Sequence, residues 1–376
     1  MEQVSQSSPS RNLDGVRIST NFIPFDLTLA ILSRLPAKAL IRFQAVSKLW
    51  FSTIRSKDFV NSFLIRSKTQ PRFLLTFKHF DSRKRFIFSA PEHKRTDKSS
   101  TVVARHDMTI SGLVYYIKSR PVNGFLCCTY GSSIAVCNPT TGQIVKLPDE
   151  HYVFTLQSQQ KEWRKIEITQ GVRYFEVSGG LCIDGVVYYG DERSETIVRF
   201  DVRSEKLDLI QVPEDTDIVD ESSLVNYNGK LGSVELDDDD MMVLWVLEDV
   251  KKQELSLGME CDLPSEWNGL VKGYVSLKGE THSDEVIMVS SRLISSEPFS
   301  VLYYDFYRES IRRVVVEGLV DDEFRRVHGI GKRTREVLCF PGYVENIIFI
   351  ISNTSGTEPT IGHQVYAYHP KSRAAT

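Results

Sequence analysis

Residues that can carry out covalent or metal chemistry are present in this chain, but none of them forms a recognised catalytic motif. The sequence has no Gly-x-Ser-x-Gly nucleophile elbow, no His-Glu-x-x-His zinc motif and no complete phosphate-binding loop. The Gly-Ile-Gly-Lys segment at 329–332 resembles part of such a loop, but it is too short and lacks the Ser or Thr after the lysine. We therefore predict a plain turn there and no catalytic activity in the chain.

Metal-binding residue types are equally dispersed. The six cysteines are too few and too scattered for a disulfide framework or a zinc site, so reduced core thiols are expected. Cys127 and Cys128 are neighbours in a predicted strand, so their side chains point to opposite faces and cannot share a metal. The eight histidines lack ligand-like spacing, and the acidic run at 237–240 is more typical of a solvated hairpin tip than of a calcium loop. We expect no metal and no cofactor.

Targeting and membrane signals are not evident in the chain. Residues 1–17 are Ser-rich and charged, which matches neither a secretory signal nor a transit peptide, and we expect a disordered tail over 1–20. The densest apolar stretch, at 347–351, is far shorter than the roughly 18 residues of a membrane span. The sequon at 353–355 matches a glycosylation site by pattern only. We expect a protein of the cytoplasm and/or nucleus.

Charge is distributed unevenly along the chain. The overall net charge is −3, but residues 1–120 carry about +13 and the remainder about −16. A basic front can attract an acidic partner, whereas the acidic remainder would repel a polyanion. Short basic clusters at 83–85, 312–313, 325–326 and 332–335 suggest nucleic-acid or phosphopeptide contacts, but their interleaving with acids and aromatics favours exposed strand faces. We do not expect nucleic-acid binding.

The front of the chain has helical periodicity in three short segments. Pro24 suits a first helical turn, and an apolar stripe that starts at Leu27 continues to the break at Pro36. A second segment follows, and Ser47 is placed to cap a third. A further short helix is predicted to carry Phe59, Phe63 and Leu64 to Pro71. Such short helices bury too little surface to be stable alone. From periodicity alone, a mere cap on the following domain is an equal alternative.

The order of residues in this region resembles an F-box. The resemblance rests on Ile-Pro-Phe-Asp-Leu at 23–27, on 31–40 and on 42–50. It implies a small all-α module of three helices that docks a Skp-type adaptor, which is acidic as a family, and through it a cullin-RING ubiquitin ligase. By position in the motif, the adaptor-facing surface would be formed or supported by Ile23, Pro24, Leu27, Ile31, Leu35, Leu40, Val46 and Trp50. Ala30 and Ala39 stand where Glu and Ser are frequent, which puts affinity in doubt.

After Pro71 the pattern changes to short apolar runs separated by turn residues, typical of strands. Three Asx-Gly pairs suit type I′ hairpin turns, since both central residues need positive φ: Asn123-Gly124, Asp184-Gly185 and Asn228-Gly229. A second motif, an apolar strand ending in Asp or Asn before a polar turn, recurs at 134–142 and 197–201, with weaker copies at 243–248 and 301–305 and a last trace at 365–368. The copies lie about 45 to 65 residues apart, which predicts roughly five or six blades of a closed, propeller-like array. An irregular β-sandwich is the alternative.

The β region resembles the F-box-associated domain of large plant F-box families. The resemblance rests on the Asn-Pro-Thr-Thr-Gly turn at 138–142 and on strands near Trp245. We thus predict an α+β multidomain chain with a tail at 1–20, an F-box at 21–68 and an all-β, propeller-like F-box-associated domain at 71–376. The resemblance implies a non-catalytic substrate-recognition subunit of an SCF-type (Skp–cullin–F-box) E3 ubiquitin ligase, with an unknown protein target. A non-ligase F-box scaffold and a β-propeller enzyme are the alternatives.

Overall fold

The computed structural model describes residues 23–111, 116–117, 120–130, 133–146, 152–153, 164–165, 178–191, 196–212, 224–236, 241–249, 254–264, 267–270, 275–280, 285–332, 334 and 337–350. Helices occupy the front of this part and strands most of the rest. The helices are α1 Phe25–Arg34, α2 Ala37–Phe43, α3 Lys48–Arg55, α4 Lys57–Lys68, α5 Trp267–Leu270 and α6 Asp322–His328. Among these described helices, none has the length and apolarity needed to cross a membrane.

Local sequence signals set the bounds of the front helices. The Ser47 hydroxyl accepts a hydrogen bond of 3.1 Å from the backbone N–H of Trp50, which confirms the predicted cap of α3. Ser56 caps α4 in the same way through the N–H of Phe59. Pro36 follows the end of α1 and leads into α2. The predicted further helix is present as α4, so four helices precede the first strand.

The β region contains strands of two to nine residues. The strands are β1 Arg72–His79, β2 Lys84–Pro91, β3 Thr101–Val103, β4 Arg105–Ser111, β5 Tyr116–Ile117, β6 Leu126–Tyr130, β7 Ser133–Asn138, β8 Gln143–Lys146, β9 Tyr152–Val153, β10 Arg164–Lys165, β11 Ser178–Ile183, β12 Val186–Asp191, β13 Thr196–Asp201, β14 Lys206–Gln211, β15 Leu224–Tyr227, β16 Lys230–Leu236, β17 Met241–Asp249, β18 Glu254–Asp262, β19 Val275–Glu280, β20 Val286–Ser290, β21 Ser300–Asp305, β22 Ser310–Glu317 and β23 Val337–Tyr343.

These strands form five antiparallel sheets, here called blades 1 to 5. Their strand orders are β5-β6-β7-β8, β11-β12-β13-β14, β15-β16-β17-β18, β19-β20-β21-β22 and β23-β1-β2-β4. The first strands of blades 2, 3, 4 and 5 contact one another in that order, as the inner strands of a propeller do. β9 and β10 form a separate two-stranded sheet. The predicted fold class is confirmed: helices precede a five-bladed, propeller-like domain, and the sandwich alternative is wrong.

Blade 5 closes the array with strands from both ends of the β region. The inner strand β23 pairs with β1, so that Cys339 lies opposite Leu75 and Tyr343 opposite Arg72. Between β2 and β4 the chain crosses to blade 4, where β3 adds a fifth, parallel strand along β22. This pairing ties the two ends of the β region together within one sheet.

The core lies between adjacent blades, which explains the continuous apolar sequence of β1. Phe73 and Phe77 pack in a cluster with Tyr303 of blade 4, whereas the intervening Leu74 packs with Leu126 of blade 1. Successive side chains of a strand point to opposite faces, and here a neighbouring blade buries each face. A strand in that position has no solvent-exposed side and therefore lacks polar alternation.

The recurring Asp or Asn at the end of a strand has a structural cause. Each such residue ends the third strand of its blade, and its Oδ1 accepts hydrogen bonds from the backbone N–H groups two and three residues later. The residues are Asn138, Asp201 and Asp305, with distances of 2.8 to 3.4 Å. This side-chain turn reverses the chain into the fourth strand. The three Asx-Gly turns also have positive φ at both residues, as predicted.

Candidate functional site

An exposed apolar surface covers the front helices. Leu27 is 57% exposed, Ile31 48% and Val46 59%, although each has a side chain that favours burial. These residues lie on α1 and in the link between α2 and α3. Several large apolar side chains exposed on one small module make it a candidate binding site.

The eight residues predicted for this surface divide into three groups. Ile23, Pro24, Leu27, Ile31 and Val46 are exposed; Leu35 and Trp50 are half-buried; and Leu40 is completely buried. Leu40 can therefore support the surface but cannot touch a partner. Trp50 packs edge-on against Phe43, with ring centroids 5.2 Å apart.

Sequence reasoning overlooked further exposed apolar side chains on the same helices. These are Phe25, Leu29, Leu49 and Phe51, which are 37% to 50% exposed. Their signal in the sequence was their position next to the predicted stripe, on helices too short to bury apolar residues on every side. Together with the five exposed residues above they make up the exposed apolar part of the front helices, which we call the docking surface.

A joint core beneath the docking surface connects the helices to the β region. Leu32, Leu40 and Ile54 share one cluster with Ile347 and Ile348. Further members are Ala37, Phe59, Val60, Phe63 and Phe125. Ile347 and Ile348 belong to residues 344–350, which follow β23 and have no regular secondary structure. We call this stretch the support segment. The helices thus bury their inner faces on the β domain, as short helices require.

The turn at 138–142 holds the support segment in place. Asn138 donates through Nδ2 to the carbonyls of Asn346, at 2.8 Å, and Ile348, at 2.9 Å. The Thr140 hydroxyl accepts from the N–H of Asn346 and bonds the Tyr343 hydroxyl at 3.0 Å. Gln143 both donates to and accepts from the main chain of Ile350. The Asn-Pro-Thr-Thr-Gly motif therefore anchors the segment on which the docking helices rest.

The predicted turn at Asn123-Gly124 completes this joint. Asn346 Nδ2 donates to the Asn123 carbonyl at 2.6 Å. Gly124 approaches the segment so closely that a Cβ would lie 2.6 Å from the Val344 carbonyl oxygen and 2.6 Å from the Asn346 Cβ. Only glycine fits here, because its φ of 84° is also unfavourable for other residues.

Charged groups join the helices to the β domain at the edge of this core. The Lys38 ammonium donates to the Asp107 carbonyl at 2.6 Å, and its burial lowers the pKa of this lysine. Arg105 bridges the Asp107 carboxylate at 2.7 Å and Glu345 at 2.5 Å. Because Glu345 belongs to the support segment, the network fixes both sides of the joint.

A cationic side chain from α3 also reaches the support segment. The Arg55 guanidinium lies 4.4 Å from the ring centre of Phe51 and 4.3 Å from that of Phe349. Such stacking is favourable because the face of an aromatic ring is electronegative. Desolvation between the two rings lowers the pKa of Arg55.

The other residues singled out by the sequence have structural positions. The segment at 329–332 follows α6, and Gly329 is the left-handed cap of that helix, so the predicted turn is confirmed. Cys128, Cys137, Cys261 and Cys339 are buried, whereas Cys182 is exposed rather than in the core. Within the ranges given above, no group of three or more His, Cys, Asp or Glu side chains could hold a metal ion. The predictions for 1–20, 237–240, 353–355 and 365–368 fall outside the described residues.

The basic clusters are not uniformly on exposed strand faces, and that interpretation is wrong for three arginines. Arg85 is completely buried and Arg325 is 9% exposed. Arg312 makes a two-pronged ion pair with the buried Glu285, at 2.6 and 2.8 Å. Arg313, the neighbour of Arg312 on β22, faces the opposite side of the sheet because adjacent strand residues alternate in direction.

Comparison with known families identifies both parts of the chain. A family profile described as "F-box associated beta propeller domain" matches residues 72–151 and 147–344, and one described as "F-box domain" matches residues 22–62. F-box protein At1g30790 of Arabidopsis thaliana is 35% identical over 398 residues, which cover 89% of this chain and 100% of that protein. Putative F-box protein At1g46984 of the same plant is 32% identical and covers 87% and 94%. Among solved structures, apo AztD from Citrobacter koseri aligns at 8% identity with a TM-score of 0.34 and covers 72% and 98%.

Proposed function

The chain belongs to the F-box proteins with an F-box associated beta propeller domain, and on that premise we propose that it is a substrate-recognition subunit of an SCF-type E3 ubiquitin ligase. In this role the docking surface binds a Skp-type adaptor, and the propeller-like domain binds a protein target. The chain itself is then non-catalytic and works in the cytoplasm and/or nucleus.

The observation that carries this proposal is the docking surface itself. Leu27, Ile31 and Val46 are each about half exposed, yet the helices that bear them are held by a complete core on their inner side. A protein interface of ordinary size buries about 800 Å² on each partner, which a face of this kind can supply. The basic front of the chain would raise the rate of association with an acidic adaptor.

The mechanism is one of proximity. A ligase that holds its target beside the charged ubiquitin carrier turns a bimolecular encounter into an effectively intramolecular one. The front helices and the β domain form a single unit. They are held together by the joint core, by the hydrogen bonds of Asn138 and by the ion pair between Arg105 and Glu345. A rigid unit keeps the target at a fixed distance and angle, which a flexible tether would not do.

A pull-down with a purified Skp-type adaptor tests the docking. Wild type is expected to bind, and Leu27→Asp combined with Trp50→Ala is expected to bind at least about tenfold more weakly, because a carboxylate in an apolar interface loses its hydration. Ile65→Asp is the matched control, since Ile65 is 68% exposed on α4 and lies outside the docking surface. Failure of wild type to bind, or equal binding by the double variant, would overturn the proposal.

Ligase and non-ligase roles differ in the fate of the target. A ligase subunit without residues 23–54 should let particular proteins accumulate in cells, whereas a non-ligase scaffold should leave protein half-lives unchanged. Quantitative proteomics that compares the full chain with this deletion separates the two roles. An enzyme would instead require titratable side chains that converge in a deep pocket.

A further inference from the structure

A pocket of about 380 Å³ lies in the β domain at the loop between β20 and β21. Phe299 and Leu302 are buried and form part of its apolar wall. Arg292 and Arg313 line it together with the carboxylate-bearing Glu297. The remaining lining residues are apolar or hydroxyl-bearing: Leu270, Val275, Ser290, Ile294, Ser296, Pro298 and Ser300. The pocket therefore combines an apolar wall with an excess of positive charge.

The pocket and the docking helices lie at opposite ends of β23. α4, the last of the front helices, leads into Arg72, which pairs with Tyr343 at the end of that strand. The pocket loop meets its beginning, where the Val337 N–H donates to the Ser291 carbonyl at 2.9 Å. With about 3.3 Å per residue along a strand, the two ends are about 20 Å apart. A ligand in the pocket would thus not compete with an adaptor.

The two arginines are available to a ligand. No ion pair joins Arg292 or Arg313 to a carboxylate anywhere in the ranges that the structure describes. Arg313 makes one hydrogen bond, from Nε to the Ser300 hydroxyl at 2.8 Å. By contrast, Arg95 and Arg312 of the same blade region each contact carboxylates.

The loop that carries the pocket is well anchored. Its Leu293 N–H donates to the Thr334 hydroxyl at 3.0 Å, and the Leu293 carbonyl accepts from the Thr334 N–H at 3.0 Å. The Ser295 N–H donates to the Lys332 carbonyl. Ser290 fixes the main chain of Arg292 through its hydroxyl. A preformed loop loses little conformational entropy on binding, which favours a recognition role.

From these observations we infer that the pocket binds an anionic side chain of the protein target, flanked by an apolar residue that packs on Phe299 and Leu302. This inference rests on the proposed function, since it names the class of target segment that the ligase subunit recognises. Guanidinium groups recognise carboxylates and phosphates through paired, charge-assisted hydrogen bonds. The same chemistry fits Asp, Glu, phosphoserine and phosphothreonine.

An oriented peptide library tests the inference on the full chain in complex with its adaptor. Pools carry one fixed central residue, chosen from Asp, Glu, phosphoserine, phosphothreonine, Asn, Gln and Ser, and their binding is measured by fluorescence polarisation. We expect acid-centred pools to bind at least about tenfold more tightly than the Asn- and Gln-centred pools, and the preference to weaken with added salt. A stronger phosphoserine than Asp pool assigns the site to phosphorylated targets, and equal binding assigns it to acidic ones.

Variants connect the preference to the pocket. Arg292→Glu with Arg313→Glu is expected to abolish it, Arg292→Gln with Arg313→Gln to reduce it, and the exposed Arg203→Glu on the turn after β13 to leave it intact. An absent acid preference in wild type, or one that persists in the double Glu variant, overturns the inference. All these variants should retain adaptor binding, because the pocket lies at the far end of β23. Loss of adaptor binding in wild type would instead overturn the proposed function alone.

Discussion

The side-chain amide of Asn138 donates to the main-chain carbonyl of Asn346 at 2.8 Å, across 208 residues of sequence. Both residues are almost fully buried, at 0% and 1% exposure. Asp201 and Asp305 occupy the equivalent turn position in other blades and accept the same local hydrogen bonds, but a carboxylate has no N–H to donate. The amide therefore distinguishes the blade that holds the support segment.

Replacing Asn138 by Asp should destabilise the protein while keeping the turn. The carboxylate can still accept from the Thr140 N–H, but it would face the carbonyls of Asn346 and Ile348 without a donor. We expect a loss of about 2–4 kcal/mol in the free energy of unfolding, measured with urea. The reverse exchange Asp201→Asn is the control and should cost less than about 1 kcal/mol, since Asp201 lies near solvent. Equal losses in the two variants would contradict the assigned role.

Gly124→Ala and Gly185→Ala form a second matched pair. Both glycines have φ near 84° in a type I′ turn, so both variants incur backbone strain of about 1–2 kcal/mol. The new Cβ at Gly185 meets nothing within 4 Å, whereas that at Gly124 meets the main chain of the support segment. We expect the Gly124 variant to have the larger loss of stability by at least about 2 kcal/mol, seen as a lower denaturation midpoint. Similar midpoints would mean that the support segment moves away from the new Cβ without loss of stability.

Leu40→Ala and Leu27→Ala should distinguish a residue that supports the docking surface from one that contacts the adaptor directly. Leu40 is fully buried in the joint core, so its truncation should cost about 2–5 kcal/mol. Leu27 is exposed, so its truncation should change stability by less than about 0.5 kcal/mol. Adaptor affinity should fall for both, measured by calorimetry together with thermal unfolding. Unchanged affinity in the folded Leu27 variant would remove this residue from the docking surface.

The desolvated environment of two histidines leads us to predict that the protein loses stability in mild acid. His106 and His328 both contact Phe324 of α6, and desolvation lowers the pKa of each ring. The unfolded chain then binds protons at higher pH than the folded protein, so stability is full above about pH 6.5 and falls as pH drops through the lowered folded pKa values. His106→Gln with His328→Gln should flatten the dependence of the urea midpoint between about pH 7.5 and pH 5.5. An equally steep dependence in this variant would assign the effect to other groups.

Local signals predicted much of the fold. The Ser47 cap and the Asx-Gly turns depend on neighbouring residues, and the sequence therefore contains all the necessary information. The blade motif was recognisable for the same reason, since the turn after Asp201 is closed by its own side chain. The sequence did not distinguish the buried Leu40 from the exposed residues of the docking motif. An apolar stripe on a helix does not reveal which of its residues face the β domain.

Long-range pairings were not predictable in this way. The parallel pairing of β3 with β22 joins residues more than 200 positions apart, and β3 has only three residues. The anchoring of the support segment by Asn138 depends likewise on partners distant in sequence. The split of Arg312 and Arg313 into a buried ion pair and a pocket residue depends on the position of Glu285, just before β20. The hydrophobic periodicity of a single sequence describes only local structure, so it does not predict contacts between residues that are distant in sequence.

The support segment also imposes an order on synthesis. A ribosome makes the docking helices first and residues 344–350 some 280 positions later, yet Leu32, Leu40 and Ile54 need Ile347 and Ile348 as packing partners. During translation the helices therefore expose both their adaptor-facing and their inner apolar sides. Only when β23 closes blade 5 does the inner side become covered. A prematurely terminated chain would carry the docking surface without the packing partners of its inner side. In the proposed role, recruitment to a ligase would therefore be coupled to completion of the β domain.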